Sequence, residues 1–258
     1  MDWVVFTLTD HRFHVFGNSV VQDAGRGALD AALAAGTRFY PPVDGAVYGS
    51  LLNDRATLDA MGDALTQPPH NAPPRAPVLY LKPRNTRAGY GAAIAVPNTG
   101  VEVGASVGVV IGRTASHVAV TDAAEYVAGY VAVADLCVPH ASVYRPVIPL
   151  RARDGFCVMG PAAIARRHVG DPDALPVSVS IDAKPVFAAS TSTCVRGVAQ
   201  LLADVTEFMT LAPGDVLTLG APHGAPVAHA GALVEVRVAG WAPLRFTLVA
   251  EPMSGGVA

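Results

Sequence analysis

Charged side chains are scarce in this chain of 258 residues. Only 15% of them are Asp, Glu, Lys or Arg, and the formal net charge is -3. No basic face is indicated, so we do not expect a nucleic-acid partner. Lysine is rarer still, with only Lys82 and Lys184 in the whole sequence. Hydrophobic residues make up 51%, which is enough for a chain of this length to bury roughly 70–75% of its unfolded surface.

Cysteine is also sparse and forms no recognisable framework. The three cysteines, Cys137, Cys157 and Cys194, are widely spaced and include no CxxC pair. Such a set predicts reduced thiols in a cytosolic protein rather than disulfides or a zinc site. The segment MDWVVFTLTDH lacks a basic leader, and the longest apolar stretches run to about ten residues. We therefore expect no signal peptide and no membrane span, and a cytoplasmic location.

Several common catalytic motifs are missing. The sequence contains no Walker A motif, no G-x-G-x-x-G after a strand and no HExxH. A literal G-x-S-x-G does occur at 104–108, but the following VVIGR is strand-like. A nucleophile elbow needs a helix at that point, so we do not expect a serine hydrolase. His223 and His229 lie in a loop of small residues, 221–232, and are predicted to be exposed histidines rather than a metal pair.

Many short strands and few helices are predicted. This pattern favours a β-rich α+β fold with a rolled or barrel-like sheet. We place a small N-terminal lobe at 1–44, a main domain at 45–252 and a flexible tail at 253–258. The lobe is predicted to contain a hairpin formed by 3–8 and 12–21, and a helix at 26–35 that ends at Gly36.

The main domain is predicted to alternate strands with short helical segments. Its clearest helix spans 193–209, where apolar residues recur every three or four positions. A second helix is predicted at 54–65, and a one-turn helix capped by Asp122 at 123–127. The predicted strands are 46–52, 78–82, 101–112, 117–121, 129–138, 176–182, 184–188, 215–219, 233–239 and 243–250.

Eight landmarks occur in one order between about residues 46 and 250. They include LLN at 51–53, LYLKP at 79–83, GVVIGR at 108–113, DGFCVMGP at 154–161 and LAPGDVLTLGAPHG at 211–224. In this respect the chain resembles the fumarylacetoacetate hydrolase family over about four-fifths of its length. The resemblance implies the family's rolled β-sheet fold and a small 2-oxo di- or tricarboxylate as substrate.

Some stretches resemble one branch of that family most closely. Among them are PPRAPVLYLKPRNT at 73–86, VEVGASVGVVIGRTA at 101–115 and PHASVYRP at 139–146. They are similar to the N-terminal half, or the separate N-terminal subunit, of an enzyme of 4-hydroxyphenylacetate (homoprotocatechuate) degradation. That enzyme combines a 5-oxopent-3-ene-1,2,5-tricarboxylate decarboxylase with a 2-hydroxyhepta-2,4-diene-1,7-dioate isomerase, and a second, homologous half completes it.

The resemblance also shows that the family's metal ligands have changed. The family binds Mg²⁺ or Mn²⁺ through Glu-x-Glu on a strand and one later Asp, and the i, i+2 spacing puts both Glu side chains on one face. The two Glu positions correspond to Gly104 and Ser106, while Asp135 matches the third ligand. Glu102 lies one step earlier on the same face, about 6.6 Å along the strand. No metal is therefore expected, unless Mg or Mn binds a rebuilt site.

Three other residues are candidates for the site. Lys82 and Arg151 are predicted to bind substrate carboxylates, and the alternative is a pair of surface cations. Arg151 aligns with a catalytic lysine of the family but stays charged, so it cannot act as a base. His140 is a candidate acid or base, and otherwise a loop histidine. His140 and Arg151 are thus the catalytic candidates.

Three functions follow from this resemblance. The first is a metal-poor, weakly catalytic or non-catalytic subunit of the decarboxylase/isomerase, working with a metal-bearing homologue. The second is a stand-alone, metal-independent isomerase or hydrolase acting on a 2-oxo dicarboxylic acid. The third is a non-catalytic protein that binds small acids. In all three cases a dimer is expected, either a homodimer or a heteromer with a homologous subunit.

Overall fold

The computed structural model describes residues 11–15, 21–24, 26–141 and 147–252. Within these ranges the chain forms sixteen strands and four α-helices. The strands are β1 His11–Val15, β2 Val21–Ala24, β3 Phe39–Tyr40, β4 Val47–Leu51, β5 Val78–Lys82, β6 Arg87–Ala88, β7 Ala93–Val96, β8 Val101–Ile111, β9 Val127–Cys137, β10 Cys157–Ala165, β11 Pro176–Ile181, β12 Lys184–Ser190, β13 Val216–Thr218, β14 Val227–Ala228, β15 Leu233–Val238 and β16 Leu244–Ala250. The helices are α1 Arg26–Ala34, α2 Arg55–Met61, α3 Ile148–Arg151 and α4 Val198–Thr206.

Two sheets account for these strands. The larger has eleven described strands and curls into a half-barrel in the order β2-β1-β10-β9-β8-β13-β4-β5, with β3, β6 and β14 attached to its sides. The smaller has the order β12-β11-β15-β16-β7. The prediction of a β-rich fold with a rolled sheet and few short helices is confirmed.

The central strand β8 is buried on both faces. Its alternating residues point in opposite directions because the side-chain period of a strand is two. The odd positions, including Val103, Ala105 and Val107, enter the core between the two sheets. The even positions point to the opposite face of the larger sheet, where Val110 packs with residues of β9, β10 and β13. Burial on both sides explains why this strand is apolar almost throughout.

Residues of the predicted N-terminal lobe join the larger sheet. Strand β1 pairs antiparallel with β10 and extends the sheet beyond it. Leu29 and Phe39 are almost completely buried, and they pack with Ala162 and Ala242. The predicted strand 3–8, much of 12–21 and the tail 253–258 lie outside the described residues. The boundary at 44 stays a prediction.

Two helical predictions and one strand prediction need correction. The helix predicted at 193–209 spans only Val198–Thr206, after a 3₁₀ turn at 191–193. A 3₁₀ helix at 120–126 replaces the one-turn helix predicted at 123–127. Residues 117–119 form no strand. None of the helices in the described ranges is long and apolar enough to cross a membrane.

Candidate functional site

The three positions that the resemblance assigns to metal ligands, Gly104, Ser106 and Asp135, lie on two neighbouring strands. On β8, Gly104 pairs across the sheet with Asp135 of β9, and Ser106 pairs with Val133. Glu102 is one step further along and pairs with Cys137. The predicted i, i+2 arrangement on one strand face is therefore present, but only Asp135 brings a carboxylate to it.

The space for the lost carboxylates is filled by protein. A Cβ atom built on Gly104 would lie 2.7 Å from the Ala221 Cβ and 2.9 Å from the Asp135 backbone oxygen. The Ser106 hydroxyl donates a hydrogen bond of 2.9 Å to the Gly220 carbonyl. The turn after β13 thus closes over both positions. A carboxylate at either one would require this turn to move.

Asp135 is surrounded by polar side chains from three other residues. Its side chain is 4% exposed, with Lys82 Nζ 2.5 Å from Oδ1 and Arg151 Nη1 3.0 Å from Oδ2. The Tyr80 hydroxyl donates a short hydrogen bond to the same Oδ2 atom. We call these four side chains the Asp135 cluster. Because it holds two cations and one carboxylate, its net charge is +1 with Tyr80 neutral.

Tyr80 reaches the cluster because β4 has a glycine beside it. Tyr80 on β5 pairs with Gly49 on β4. A Cβ atom on Gly49 would lie 2.0 Å from the Tyr80 Cζ atom, so the aromatic ring occupies the place of a side chain. The ring lies over β4 and points its hydroxyl across the curled sheet to β9. Burial, followed by the charge of Asp135, raises the pKa of Tyr80 well above its usual value.

Arg151 is held between Tyr80 and Asp135. Its guanidinium carbon lies 4.6 Å from the centroid of the Tyr80 ring, a cation–π contact. Burial disfavours the charged form, but Asp135, Tyr80 and Cys137 together outweigh burial and raise the pKa of Arg151. Its Nε atom is buried and has no hydrogen-bond partner among the described residues. Arg151 therefore retains donor capacity that the described protein atoms do not use.

Lys82 and Arg151 are not the pair of surface cations considered as the alternative. The Lys82 side chain is only 2% exposed and that of Arg151 15%. The Lys82 ammonium donates to the carbonyls of Leu136, Arg151 and Phe156 at 2.9, 2.9 and 2.8 Å. Binding of substrate by these two residues stays a prediction.

His140 lies near the cluster but outside it. Its Nδ1 atom is 3.1 Å from the Val138 carbonyl and 3.6 Å from the Cys137 sulfur, and the residue is half-buried. Burial raises the pKa of Cys137, so this thiol is not an activated nucleophile. The segment 142–146 that follows is outside the described residues. A role for His140 as acid or base stays a prediction.

A water-sized cavity lies on the other side of Ser106. Its volume is about 10 Å³, and Asp54, Ser106, Thr193 and Cys194 are among its lining residues. Asp54 is 5% exposed; its Oδ2 atom accepts from the backbone N–H of His223 at 3.0 Å, while Oδ1 has no partner in the described part of the chain. His223 is exposed, as predicted. This volume holds one water molecule and no organic acid.

The described residues do not fit a divalent metal. No group of three His, Cys, Asp or Glu side chains with metal-binding geometry occurs among them. Mg²⁺ needs several oxygen ligands in octahedral geometry. Here the Asp135 oxygens already face an ammonium, a guanidinium and a phenol. A divalent cation would have to displace two positive charges to reach this carboxylate.

Two residues at this site, Tyr80 and Gly49, are not among the candidates that the sequence indicates. Tyr80 stands two residues before Lys82 in the predicted strand 78–82, so the period of two places both on one face. The strand period of two could therefore have indicated Tyr80 as a neighbour of Lys82. Nothing in the sequence pairs Gly49 with Tyr80, since the register of β4 and β5 is a tertiary feature.

Comparison with known proteins agrees with this architecture. The family model "Fumarylacetoacetate (FAA) hydrolase C-terminal" matches residues 46–249. The chain belongs to the fumarylacetoacetate hydrolase family. The match covers the half-barrel from β4 onward, the smaller sheet and every member of the Asp135 cluster, so the cluster lies within the family domain.

Curated relatives point to one branch of the family. The chain is 40% identical over 209 residues to the 4-hydroxyphenylacetate degradation bifunctional isomerase/decarboxylase of Escherichia coli. The alignment covers 80% of this chain but 48% of that protein. The chain therefore spans about half the length of this relative. It is also 30% identical to a 2,4-didehydro-3-deoxy-L-rhamnonate hydrolase of Sphingomonas sp. (strain SKA58), over 80% of this chain and 75% of that protein.

A solved structure shares the fold. Maleylpyruvate hydrolase from Sphingobium sp. SYK-6, in complex with manganese(II) and pyruvate, superimposes with a TM-score of 0.70 at 23% identity. The superposition covers 88% of this chain and 82% of that one. The likeness establishes that this chain and that hydrolase share one fold.

Proposed function

We propose that this chain is the metal-poor, non-catalytic half of a 5-oxopent-3-ene-1,2,5-tricarboxylate decarboxylase / 2-hydroxyhepta-2,4-diene-1,7-dioate isomerase. It would act with a homologous, metal-bearing half. The similarity to half of the Escherichia coli isomerase/decarboxylase supports this assignment. So does the length of that relative, which leaves room for a second domain of similar size.

The observation that carries the proposal is the pairing of Asp135 with two protein cations. In enzymes that use a divalent ion on such substrates, the ion chelates the oxo acid and stabilises the enolate that forms during the reaction. Here Lys82 and Arg151 neutralise the single retained carboxylate. Positions 104 and 106 supply no second carboxylate, and the turn that includes Gly220 and Ala221 fills their space.

The Asp135 cluster is also poorly suited to acid–base chemistry. An effective acid or base has a pKa near the working pH. The pKa of Tyr80 is raised well above its usual value, and that of Arg151 is raised as well. Neither group therefore exchanges a proton near neutral pH. This argues for a supporting role of the chain rather than for turnover by this cluster.

The capacity that remains is binding of an anion. Arg151 has an unpartnered Nε atom, and guanidinium groups bind carboxylates through paired N–H donors. The net charge of the cluster favours an acid over a neutral ligand. We therefore propose that Arg151 binds a carboxylate of a small 2-oxo di- or tricarboxylate, with Lys82 contributing its charge. A non-catalytic protein that binds small acids is the second candidate, and it rests on the same Arg151 atom.

The test measures metal content and turnover in the same sample. The purified chain is equilibrated with Mn²⁺, and bound metal is counted by electron paramagnetic resonance. Decarboxylation and ketonisation are then assayed with the chain alone, with a metal-bearing homologous half, and with both. We expect no stoichiometric Mn²⁺ and no turnover by the chain alone, and turnover only when the metal-bearing half is present.

The metal-bearing half, treated identically, is the positive control for both measurements. Stoichiometric Mn²⁺ on this chain together with metal-dependent turnover at about 1–10³ s⁻¹ would contradict the proposal. Metal-free turnover abolished by His140→Ala would instead support the stand-alone isomerase. Binding of a 2-oxo acid without any association with the other half would support the small-acid binding protein.

A further inference from the structure

The Lys82 ammonium lies in a cage of four oxygen atoms. Three are the backbone carbonyls of Leu136, Arg151 and Phe156, at 2.9, 2.9 and 2.8 Å from Nζ. The fourth is the Asp135 Oδ1 atom at 2.5 Å. We call these four atoms the oxygen cage. Leu136 and Phe156 are fully buried, so bulk water does not compete for their carbonyls.

All N–H donors of the Lys82 ammonium have backbone acceptors. A lysine ammonium has three N–H donors and no acceptor. The three carbonyls account for all three donors, and the contact with Asp135 is then an ion pair. To bind a substrate carboxylate, Lys82 would have to abandon a buried carbonyl and leave that carbonyl without a donor.

The cage joins the parts of the chain that carry the rest of the cluster. Leu136 follows Asp135 on β9, and Arg151 supplies both a cage carbonyl and the guanidinium. Phe156 directly precedes β10. Without a cation, three carbonyl dipoles and a carboxylate would point their negative ends at one another. One ammonium therefore sets the relative positions of Asp135 and Arg151.

We propose that Lys82 is a positioning residue, and that the oxygen cage binds a primary alkylammonium when the lysine side chain is removed. In the intact chain, Lys82 is the built-in cation that orients Arg151 toward its acid ligand. The orientation of Arg151 toward an acid ligand rests on the proposed function, because it assumes that Arg151 binds a carboxylate. The binding of an ammonium group by the oxygen cage does not depend on that assumption.

Lysine reactivity in the folded protein tests the cage directly. The sequence has two lysines, and Lys184 is exposed, so it serves as the internal control. The native chain is treated with an amine-reactive ester, and labelling at each lysine is followed by peptide mass spectrometry. We expect Lys82 to react at least about 100-fold more slowly than Lys184, because labelling requires local opening. Saturating 2-oxoglutarate should leave the Lys82 rate unchanged.

A lysine that binds substrate would behave differently. It would react at a rate close to that of Lys184 in the empty protein and become protected when 2-oxoglutarate is added. That result would overturn the positioning role. The experiment uses the unmodified chain, so it remains decisive even if variants at position 82 fail to fold.

Chemical rescue tests the alkylammonium site. Lys82→Ala removes a propylammonium fragment from the cage, and Lys184→Ala is the matched control. We expect Lys82→Ala to lower the melting temperature and to weaken 2-oxoglutarate binding at least tenfold by calorimetry. n-Propylammonium should restore both in a saturable manner. Equal concentrations of n-propanol and tetramethylammonium should not, since one lacks the charge and the other the N–H donors.

Absence of saturable, donor-specific rescue in folded Lys82→Ala would overturn the alkylammonium site. The readouts also separate the two proposals. If the unmodified chain does not bind 2-oxoglutarate, the proposed acid binding by Arg151 fails. Lysine protection and rescue of the melting temperature would still decide whether the cage behaves as described.

Discussion

The Asp135 carboxylate is buried and pairs with two cationic side chains, those of Lys82 and Arg151. Burying charges costs desolvation free energy that the pairing only partly offsets, so such clusters are weak evidence for stability. Removing one member leaves the others uncompensated, which typically costs about 3–5 kcal/mol. The cluster therefore constrains geometry more than it contributes to folding.

Cys157 provides a prediction about pH at the scale of one residue. It is 1% exposed, pairs with Asp135 across β9 and β10, and burial raises its pKa from 9.0 to about 12. Above pH 9 the unfolded thiol loses its proton while the folded one keeps it, so stability is present below pH 9 and falls as pH rises toward 12. Each pH unit in this window costs about 1.4 kcal/mol.

The measurement is the free energy of unfolding at pH 8 and pH 10.5 for the unmodified chain and for Cys157→Ala. The unmodified chain should lose about 2 kcal/mol more than the variant over this range. Because the alanine variant has its own baseline loss from the smaller side chain, only the difference between the two pH values is compared. Equal losses in both proteins would show that Cys157 ionises normally in the folded state.

Individual site residues were partly predictable from the sequence. Asp135, Lys82 and Arg151 were each singled out by position in a motif, and the structure brings all three together. Their mutual contacts could not be foreseen, because Lys82 and Asp135 are 53 positions apart and meet only when the sheet curls. The cage carbonyls could not be predicted because every residue has a backbone carbonyl, whatever its side chain.

At the scale of strands, the contact between Gly49 and Tyr80 yields a prediction. Gly49→Ala would place a methyl group inside the Tyr80 ring and force either the ring or β5 to move. Overpacking of this kind costs about 1–3 kcal/mol. Denaturant unfolding should show this loss, and the cost should shrink in the double variant Gly49→Ala/Tyr80→Ala, because the two residues are in contact.

Gly170→Ala is the matched control, since a Cβ atom there meets nothing within 4 Å. We expect a change of less than about 0.5 kcal/mol for that variant. A similar loss in both variants would mean that the cost does not come from the Tyr80 ring.

Element boundaries failed where distant groups replaced local signals. The backbone N–H of Val198 bonds the Asp173 carboxylate at 2.8 Å, so α4 begins there and not at the first apolar residue of the pattern. The backbone N–H groups of His117 and Val118 bond to Thr206 at the end of α4, which removes them from any sheet. Strand β10 is not among the predicted strands, although the motif DGFCVMGP at 154–161 overlaps it.

At the scale of the whole molecule, the first 44 residues are expected to be inseparable from the domain. Strand β1 covers β10, and Leu29 and Phe39 fill a pocket formed with Ala162 and Ala242. Losing these two side chains alone removes roughly 3–6 kcal/mol of apolar burial. A chain that begins at residue 45 should melt at a markedly lower temperature and aggregate through the uncovered strand.

The control is a chain that lacks only residues 253–258, which should keep the melting temperature of the intact protein. If the chain that begins at residue 45 also melts within about 2 °C of the intact protein, the predicted lobe is an independent unit. The experiment thus decides the boundary that was placed at 44.

The general architecture was predictable because it depends on averages over many residues. Short strands, few helices and the order of motifs together indicated a rolled sheet, and the curled half-barrel agrees. The pairing order was not predictable, since β4 runs parallel to β13 and pairs Val47 with Val216, 169 positions later. Such pairings are fixed by the whole chain and by no local segment.

The two faces of β8 have a consequence for how this protein can change over time. Val103, Ala105 and Val107 pack into the core between the two sheets, whereas Gly104 and Ser106 lie on the opposite face, at the positions that the family resemblance assigns to metal ligands. A substitution at position 104 or 106 leaves the core between the sheets in place, and a substitution at position 103, 105 or 107 does not reach the Asp135 cluster. A lineage can therefore lose its reaction one residue at a time and still inherit an intact scaffold.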